Sequence, residues 1–302
     1  MNYMEKNIFS SKLIGLRRKN QLSQAALANK LFVTRQSISK WENGESEPSI
    51  DKLISISEIF NTSLDNLIMG NKSDKDKLVS INHLNKSYDN QVLNDLSLDI
   101  YDNERIALLG LNGSGKTTMI SIMTGLKKAD SGNVKFSFNK KKGLKLMPQN
   151  DVLINDMKVI ELIKLTQLLN KVKNNNHVES LVKEFNFSEL MDHYVGSLSG
   201  GQKRRLSLLL SLMAPSKLLV LDEPTVGMDL ETIDILWNHL EHVTGSILMV
   251  THDFNQIDKF FSRVLLLKDG KIESDMNVDK IHSHNQNVEQ WYRANNGGLN
   301  HD

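Results

Sequence analysis

Apolar and polar positions follow two different rhythms along this chain of 302 residues. Up to about residue 70, apolar residues recur at helical spacing in short segments, with no strand-like alternation. Leu13, Leu16 and Arg17 mark a first helix ending near Asn20. Ser23 can cap a second helix over 24–31, whose Ala25, Ala26 and Ala28 suit close packing. Thr34 can cap a third over 35–41, with Ile38 and Trp41 on one face and Arg35, Gln36, Ser39 and Lys40 on the other. Pro48 and Ser49 precede a fourth helix, and Leu64 and Leu67 mark a fifth. Further on, short apolar runs at 105–109, 143–147, 218–221 and 246–250 alternate with helical patterns. That alternation predicts a parallel α/β sheet. The polar strip 71–77 separates the textures, which predicts a helical domain over 1–70, a linker, and an α/β domain over 78–302. Residues 171–176 read as a polar loop.

Composition narrows the classes. Apolar residues make up 39% and charged residues 24%, with only 4 prolines, the profile of a chain that buries a core. With no cysteine, a disulfide framework, a thiol nucleophile and a cysteine-ligated zinc are excluded, and a reducing, cytoplasmic setting is expected. The first residues lack a signal-peptide core. The longest apolar stretch, 206–214, is broken by Ser207 and Ser211, so a membrane role would need a partner. The net charge of +1 hides an asymmetry. Residues 1–41 hold eight Lys or Arg against one acid, Glu5, whereas residues 42–70 hold one Lys against six acids. A basic block that coincides with the second and third helices points to a face that meets an anion.

Residues 16–68 resemble the helix-turn-helix domain of the Cro and phage-repressor class. The resemblance implies that the third helix enters the major groove of double-stranded operator DNA. Thr34, Arg35, Gln36, Ser37, Ser39 and Lys40 would then face DNA, with Gln24 on phosphate or base. The side-chain chemistry agrees, since Arg forks onto guanine and Gln onto adenine. Phe32 occupies the turn position where that class usually has glycine, so either the turn is built differently or it carries strain. A head that mediates only protein contacts is the alternative.

In the second region, residues 110–117 fit G-x-x-x-x-G-K-[ST] between an apolar run and a helical pattern. Such a loop cradles phosphates with backbone N–H groups from Gly110, Asn112, Gly113, Ser114, Gly115 and Thr118. Lys116 would pair with the β- and γ-phosphates, and Thr117 would ligate Mg²⁺. Asp222 and Glu223 follow a four-residue apolar run, so they emerge where open α/β sheets place ligands. Asp222 can hold Mg²⁺, and Glu223 can deprotonate the attacking water. Gln149 and His252 stand beyond two further predicted strands, and four such ends can converge on one nucleotide.

Leu198 to Gln202, reading LSGGQ, is followed by Lys203, Arg204, Arg205 and a helical apolar pattern. Residues 78–270 resemble the ATP-binding cassette of ABC transporters, with the family's motifs in order. The resemblance implies a P-loop α/β fold with a small antiparallel β-subdomain, since 32 residues separate Lys116 from Gln149, and a helical subdomain over 150–197, with Ile160, Ile163 and the 165–169 region lining one amphipathic helix. It implies a head-to-tail homodimer in which Ser199, Gly200, Gly201 and Gln202 bind the ATP held by the opposite subunit. Tyr88 would stack on adenine beside Val92, and Asp229 would cross the interface. Glu223 becomes the base, Gln149 a Mg²⁺ and water contact, and His252 a γ-phosphate contact. A separate membrane permease would be the partner, which places the protein at the inner face of the cell membrane. Two functions stay open: an ABC transporter ATPase of exporter type, with or without regulation of its own operon, or a transcriptional regulator using the cassette as an ATP-driven dimerisation switch with no permease. Residues after 270 carry no functional signal.

Overall fold

The computed structural model describes residues 9–10, 12–17, 20, 22–60, 62, 64, 67 and 77–296. Its contacts divide the chain into two units, Met1–Asp76 and Lys77–Asp302.

The first unit is helical, with α1 (Gln24–Leu31), α2 (Arg35–Glu42) and α3 (Ile50–Ile59) preceded by helical turns at 9–10 and 12–17. Both expected caps form: the Ser23 hydroxyl accepts from the Ala26 amide, and the Thr34 hydroxyl from the Ser37 amide. Ser49 precedes α3 without a side-chain cap. The third helix runs one residue past its expected end, to Glu42. Of the expected fifth helix, Leu64 and Leu67 are helical, and their neighbours lie outside the described residues. Leu13, Leu27, Leu31, Ile38, Trp41 and Ile56 form the core.

The second unit opens with β1 (Lys77–Ser87) and β2 (Gln91–Tyr101), so Lys77 belongs to a strand and not to the linker. Then come β3 (Arg105–Leu109), α4 (Lys116–Thr124), β4 (Ser131–Phe136), α5 (Lys140–Gly143) and β5 (Leu144–Met147). Two helices, α6 (Val159–Asn170) and α7 (Asn175–Glu184), build the helical part expected over 150–197. The chain closes through α8 (Gly200–Leu212), β6 (Leu218–Asp222), α9 (Leu230–His242), β7 (Ser246–Val250) and α10 (Phe254–Phe260). It continues with β8 (Arg263–Lys268), β9 (Lys271–Asn277), α11 (Val278–Ser283) and α12 (Val288–Asn295). The strands make an antiparallel sheet, β2-β1-β4, and a six-stranded sheet, β5-β6-β7-β3-β8-β9, in which β8 and β9 alone pair antiparallel.

Two expectations are corrected. The polar loop ends earlier, because Asn174 caps α7 and Asn175 begins it. Leu168 and Leu169, expected on the apolar face of α6, are 77% and 74% exposed, and that helix buries Val159 and Leu162 together with the expected Ile163. The last two helices add Val278, Ile281, Val288 and Trp291 to the main core. Among the described residues, no helix is long and apolar enough to cross a membrane.

Candidate nucleotide site and DNA-facing helix

Four neighbouring parallel strands, β5, β6, β7 and β3, end on the same side of the large sheet. Beyond those ends lie Gln149, then Asp222 and Glu223, then His252, and then the 110–117 loop. The predicted convergence therefore follows from strand order alone.

The loop is tight enough to need its glycines. Gly115 has φ +105°, and a Cβ there would meet the Val92 carbonyl and Leu93 at 2.9 Å. Gly110 leaves no room either, with the Leu267 carbonyl 2.4 Å from a Cβ position. Val92 is thereby set against the loop. Gly115 leads into α4, whose first residue is Lys116. The buried Lys116 ammonium donates to the Gly110 and Leu111 carbonyls, at 2.8 and 3.0 Å. Burial lowers its pKa, while the carboxylates of Glu223 and Asp222 pull the other way.

Asp222 is 2% exposed, and its Oδ1 has no hydrogen-bond partner. Burial raises its pKa, against a hydrogen bond from Thr117 and the charges of Lys116 and Arg204. An orphaned, buried carboxylate oxygen beside a threonine hydroxyl suits a hard divalent cation. Thr117 and Asp222 thus fit Mg²⁺ held jointly with phosphate oxygens. Glu223 adopts a left-handed backbone, φ +50°, and its amide donates to the Val250 carbonyl at 3.1 Å. Gln149 Nε2 donates to Glu223 Oε2 at 3.3 Å. His252 is exposed just past Thr251.

Tyr88 is half exposed at the β1–β2 tip and accepts a 3.0 Å hydrogen bond from Lys127 Nζ. That bond, with a smaller one to Thr118, lowers the phenol's pKa and sets the ring beside the start of α4. The LSGGQ segment stands apart from the loop. Ser199 caps α8 and forms a reciprocal box with Gln202, leaving Gly200 open to solvent. Its neighbours are Gly227, whose carbonyl lies 3.3 Å from a Cβ position on Gly201, and Asp229, 3.9 Å from Arg205. Asp229 caps α9, and its bonds to Thr232 lower its pKa. Among the described residues, no hydrogen bond or ion pair joins 199–202 to 110–118 within the chain.

The chief residue that the motifs did not single out for a role is Arg204. It is 5% exposed, and its guanidinium gathers the Pro148, Gln149, Asp222 and Glu223 carbonyls. The run Lys203 to Arg205 was the available signal, but it does not distinguish a buried Arg from exposed ones. A cavity of about 1010 Å³ lies elsewhere, near the amino ends of β5 and β6. Lys142, Lys145 and Lys173 line it beside the carboxyl ends of α8 and α9, where cations answer helix dipoles. None of the expected nucleotide residues lines it.

In the helical unit, α2 exposes Arg35, Gln36 and Lys40 while burying Ile38, Trp41 and Glu42. Thr34 and Ser37 hydroxyls bond each other at 2.9 Å, and Ser39 is half-buried. Gln24 is turned inward at one end: its amide donates to the Glu42 carboxylate at 2.8 Å. Arg17 meets the same carboxylate at 2.6 and 3.1 Å. The Phe32 turn does carry strain, with φ +53°, ψ +49° and the ring 90% exposed.

The two units thus define a P-loop nucleotide-binding fold and a helix-turn-helix module. The ABC transporter family model matches residues 93–226, and a helix-turn-helix model matches residues 14–67. The chain belongs to the ATP-binding cassettes of the ABC transporter family and carries an N-terminal helix-turn-helix domain. It is 33% identical over 215 residues, 65% of its length, to ABC transporter A family member 2 of Dictyostelium discoideum. The identity is again 33%, over 213 residues, to the phospholipid-transporting ATPase ABCA3 of Mus musculus. The chain spans 13% and 12% of the lengths of these relatives. Among solved structures, the ATP-binding subunit of an ABC transporter superposes with TM-score 0.68 at 20% identity, covering 73% of this chain and all of that one. A dimeric cassette bound to ADP and phosphate gives TM-score 0.59 at 22% identity, covering 66% of this chain and 98% of that one.

Proposed function

We propose that this protein hydrolyses ATP as a head-to-tail homodimer, that it powers a separate membrane permease, and that its head binds operator DNA. The observation that carries the catalytic reading is the delivery of Lys116, Asp222, Glu223, Gln149 and His252 to one edge by four adjacent parallel strands. Backbone amides of Gly110, Asn112, Gly113, Ser114, Gly115 and Thr118 bind the phosphates, and Lys116 neutralises the β- and γ-oxygens. Mg²⁺, when bound by Thr117 and Asp222, supplies further neutralisation of the phosphate oxygens. Glu223 accepts a proton from a water oriented with Gln149. That water attacks the γ-phosphorus in line as the β–γ bridging P–O bond breaks, leaving ADP and phosphate. His252 steadies the γ-phosphate. Tyr88 and Val92 hold the base. Ser199, Gly200, Gly201 and Gln202 close over the ATP of the opposite subunit, with Asp229 at the interface.

In the head, Arg35, Gln36 and Lys40 are free to reach base edges and phosphates. Thr34, Ser37 and Ser39 lie at the helix face beside them, and Gln24 keeps its carbonyl end for DNA. The second reading is a regulator that uses the cassette as an ATP-driven dimerisation switch with no permease; the solvent-facing Arg35, Gln36 and Lys40 favour it as much as the first. A transporter role places the protein at the inner face of the cell membrane. Steady-state ATPase measurement on Lys116→Ala tests the core of the proposal. Turnover should fall by at least 100-fold, and wild-type turnover in the variant refutes it.

A further inference from the structure

Arg204 sits one turn into α8, the helix whose first residues are the LSGG glycines. Its Nη1 donates to the Pro148 carbonyl at 2.7 Å, the Gln149 carbonyl at 3.0 Å and Asp151 Oδ1 at 3.2 Å. Its Nη2 donates to the Asp222 carbonyl at 3.0 Å and the Glu223 carbonyl at 2.7 Å. One buried, planar fork therefore ties three segments: the start of α8, the loop carrying Gln149, and the end of β6 carrying Glu223. The last of these is strained, with Glu223 at φ +50°. A non-glycine residue stays in that region only when its surroundings over-determine it. Two guanidinium bonds, the Glu223 amide bond to Val250 and the Gln149 contact do so.

We propose that Arg204 is a positioning residue that couples the two ATP sites of the dimer. This rests on the head-to-tail reading above. There, the start of α8 touches the ATP of the opposite subunit, while Gln149 and Glu223 act on the subunit's own ATP. When the α8 start engages γ-phosphate on the far side, Arg204 carries any shift of the helix to the backbone that aims the base and the water-holding amide. A movement at one site thus sets the geometry at the other. Lysine cannot replace this fork, because a single ammonium is a point donor and does not span two segments.

The test uses the full-length protein with Arg204→Gln and Arg204→Lys. ATP is titrated in steady-state turnover, and ATP-induced dimerisation is followed by sedimentation in a Glu223→Gln background. Wild type should give a sigmoidal rate with a Hill coefficient above 1.5. Arg204→Gln should bind ATP on isolated subunits within twofold of wild type. Its kcat should fall at least tenfold, and its Hill coefficient should approach 1. Arg204→Lys should remain within threefold of Arg204→Gln, and it serves as the test if the glutamine variant does not fold. A folded variant that keeps the wild-type Hill coefficient, whatever its kcat, overturns the coupling. If wild type itself shows no turnover, the hydrolysis reading fails. In that case coupling is overturned separately by ATP-induced dimerisation that is indifferent to Arg204.

Discussion

Phe32 ends α1 in the left-handed region, where its amide donates to the Ala28 and Asn29 carbonyls and the Val33 amide also reaches Ala28. Such a stop suits glycine. A Cβ-bearing residue there costs ~1–2 kcal/mol. Glycine removes that cost but loses ~0.5–1 kcal/mol to backbone entropy. The ring is 90% exposed, so its deletion forfeits almost no burial. Phe32→Gly should therefore stabilise the helix-turn-helix unit by about 0.5–1 kcal/mol. Phe32→Ala keeps the strain and should stay within ~0.5 kcal/mol of wild type. Amide hydrogen exchange of residues 24–59 in the full-length protein reads this directly. The glycine variant should exchange about two- to fivefold more slowly in amides protected by unfolding of the unit. Exchange in Phe32→Gly as fast as in Phe32→Ala would refute the strain reasoning.

Two other predictions concern charge. Burial raises the Asp222 pKa, so the folded state binds that proton more tightly than the unfolded chain does. Wild-type stability then falls as pH rises from the unfolded carboxyl value, ~3.9, through the folded one. Asp222→Asn should melt higher than wild type at pH 7, lose that advantage below about pH 4, and turn over no ATP; a variant that melts lower at pH 7 contradicts the burial cost. At the DNA face, Arg35→Ala should weaken operator binding by ~1–3 kcal/mol and relax specificity at one base pair. Gel-shift titration at fixed salt against base-substituted operators checks it, and equal affinity of wild type for every sequence removes the basis for the claim.

What could be read from the sequence was what is local. The 110–117 loop, the acids after β6 and the caps Ser23 and Thr34 are set by residues within a few positions of one another. Strands β6 and β7 are fully buried and β3 is buried past Arg105, so they read as apolar runs. β1 and β2 were not read, and their bulges explain why. Register shifts interrupt their pairing, and His83 and Asp95 take left-handed φ values of 50° and 53°. Each bulge adds a residue and breaks the period of two on which strand recognition depends. The strained Glu223, the orphaned Asp222 oxygen and the Arg204 fork all depend on contacts between segments 18 to 74 residues apart, which no local pattern encodes.

The borders of the large sheet bear on how copies of the chain can meet. At one border β5 is four residues long, and at the other β9 turns Lys271, Glu273 and Asp275 to solvent. Short or charged margins discourage a neighbour from adding its own strand. Ribbon-like polymerisation through the backbone is thus disfavoured. Self-association is left to other surfaces, and under the proposed function that pairing would be a reversible event set by nucleotide concentration.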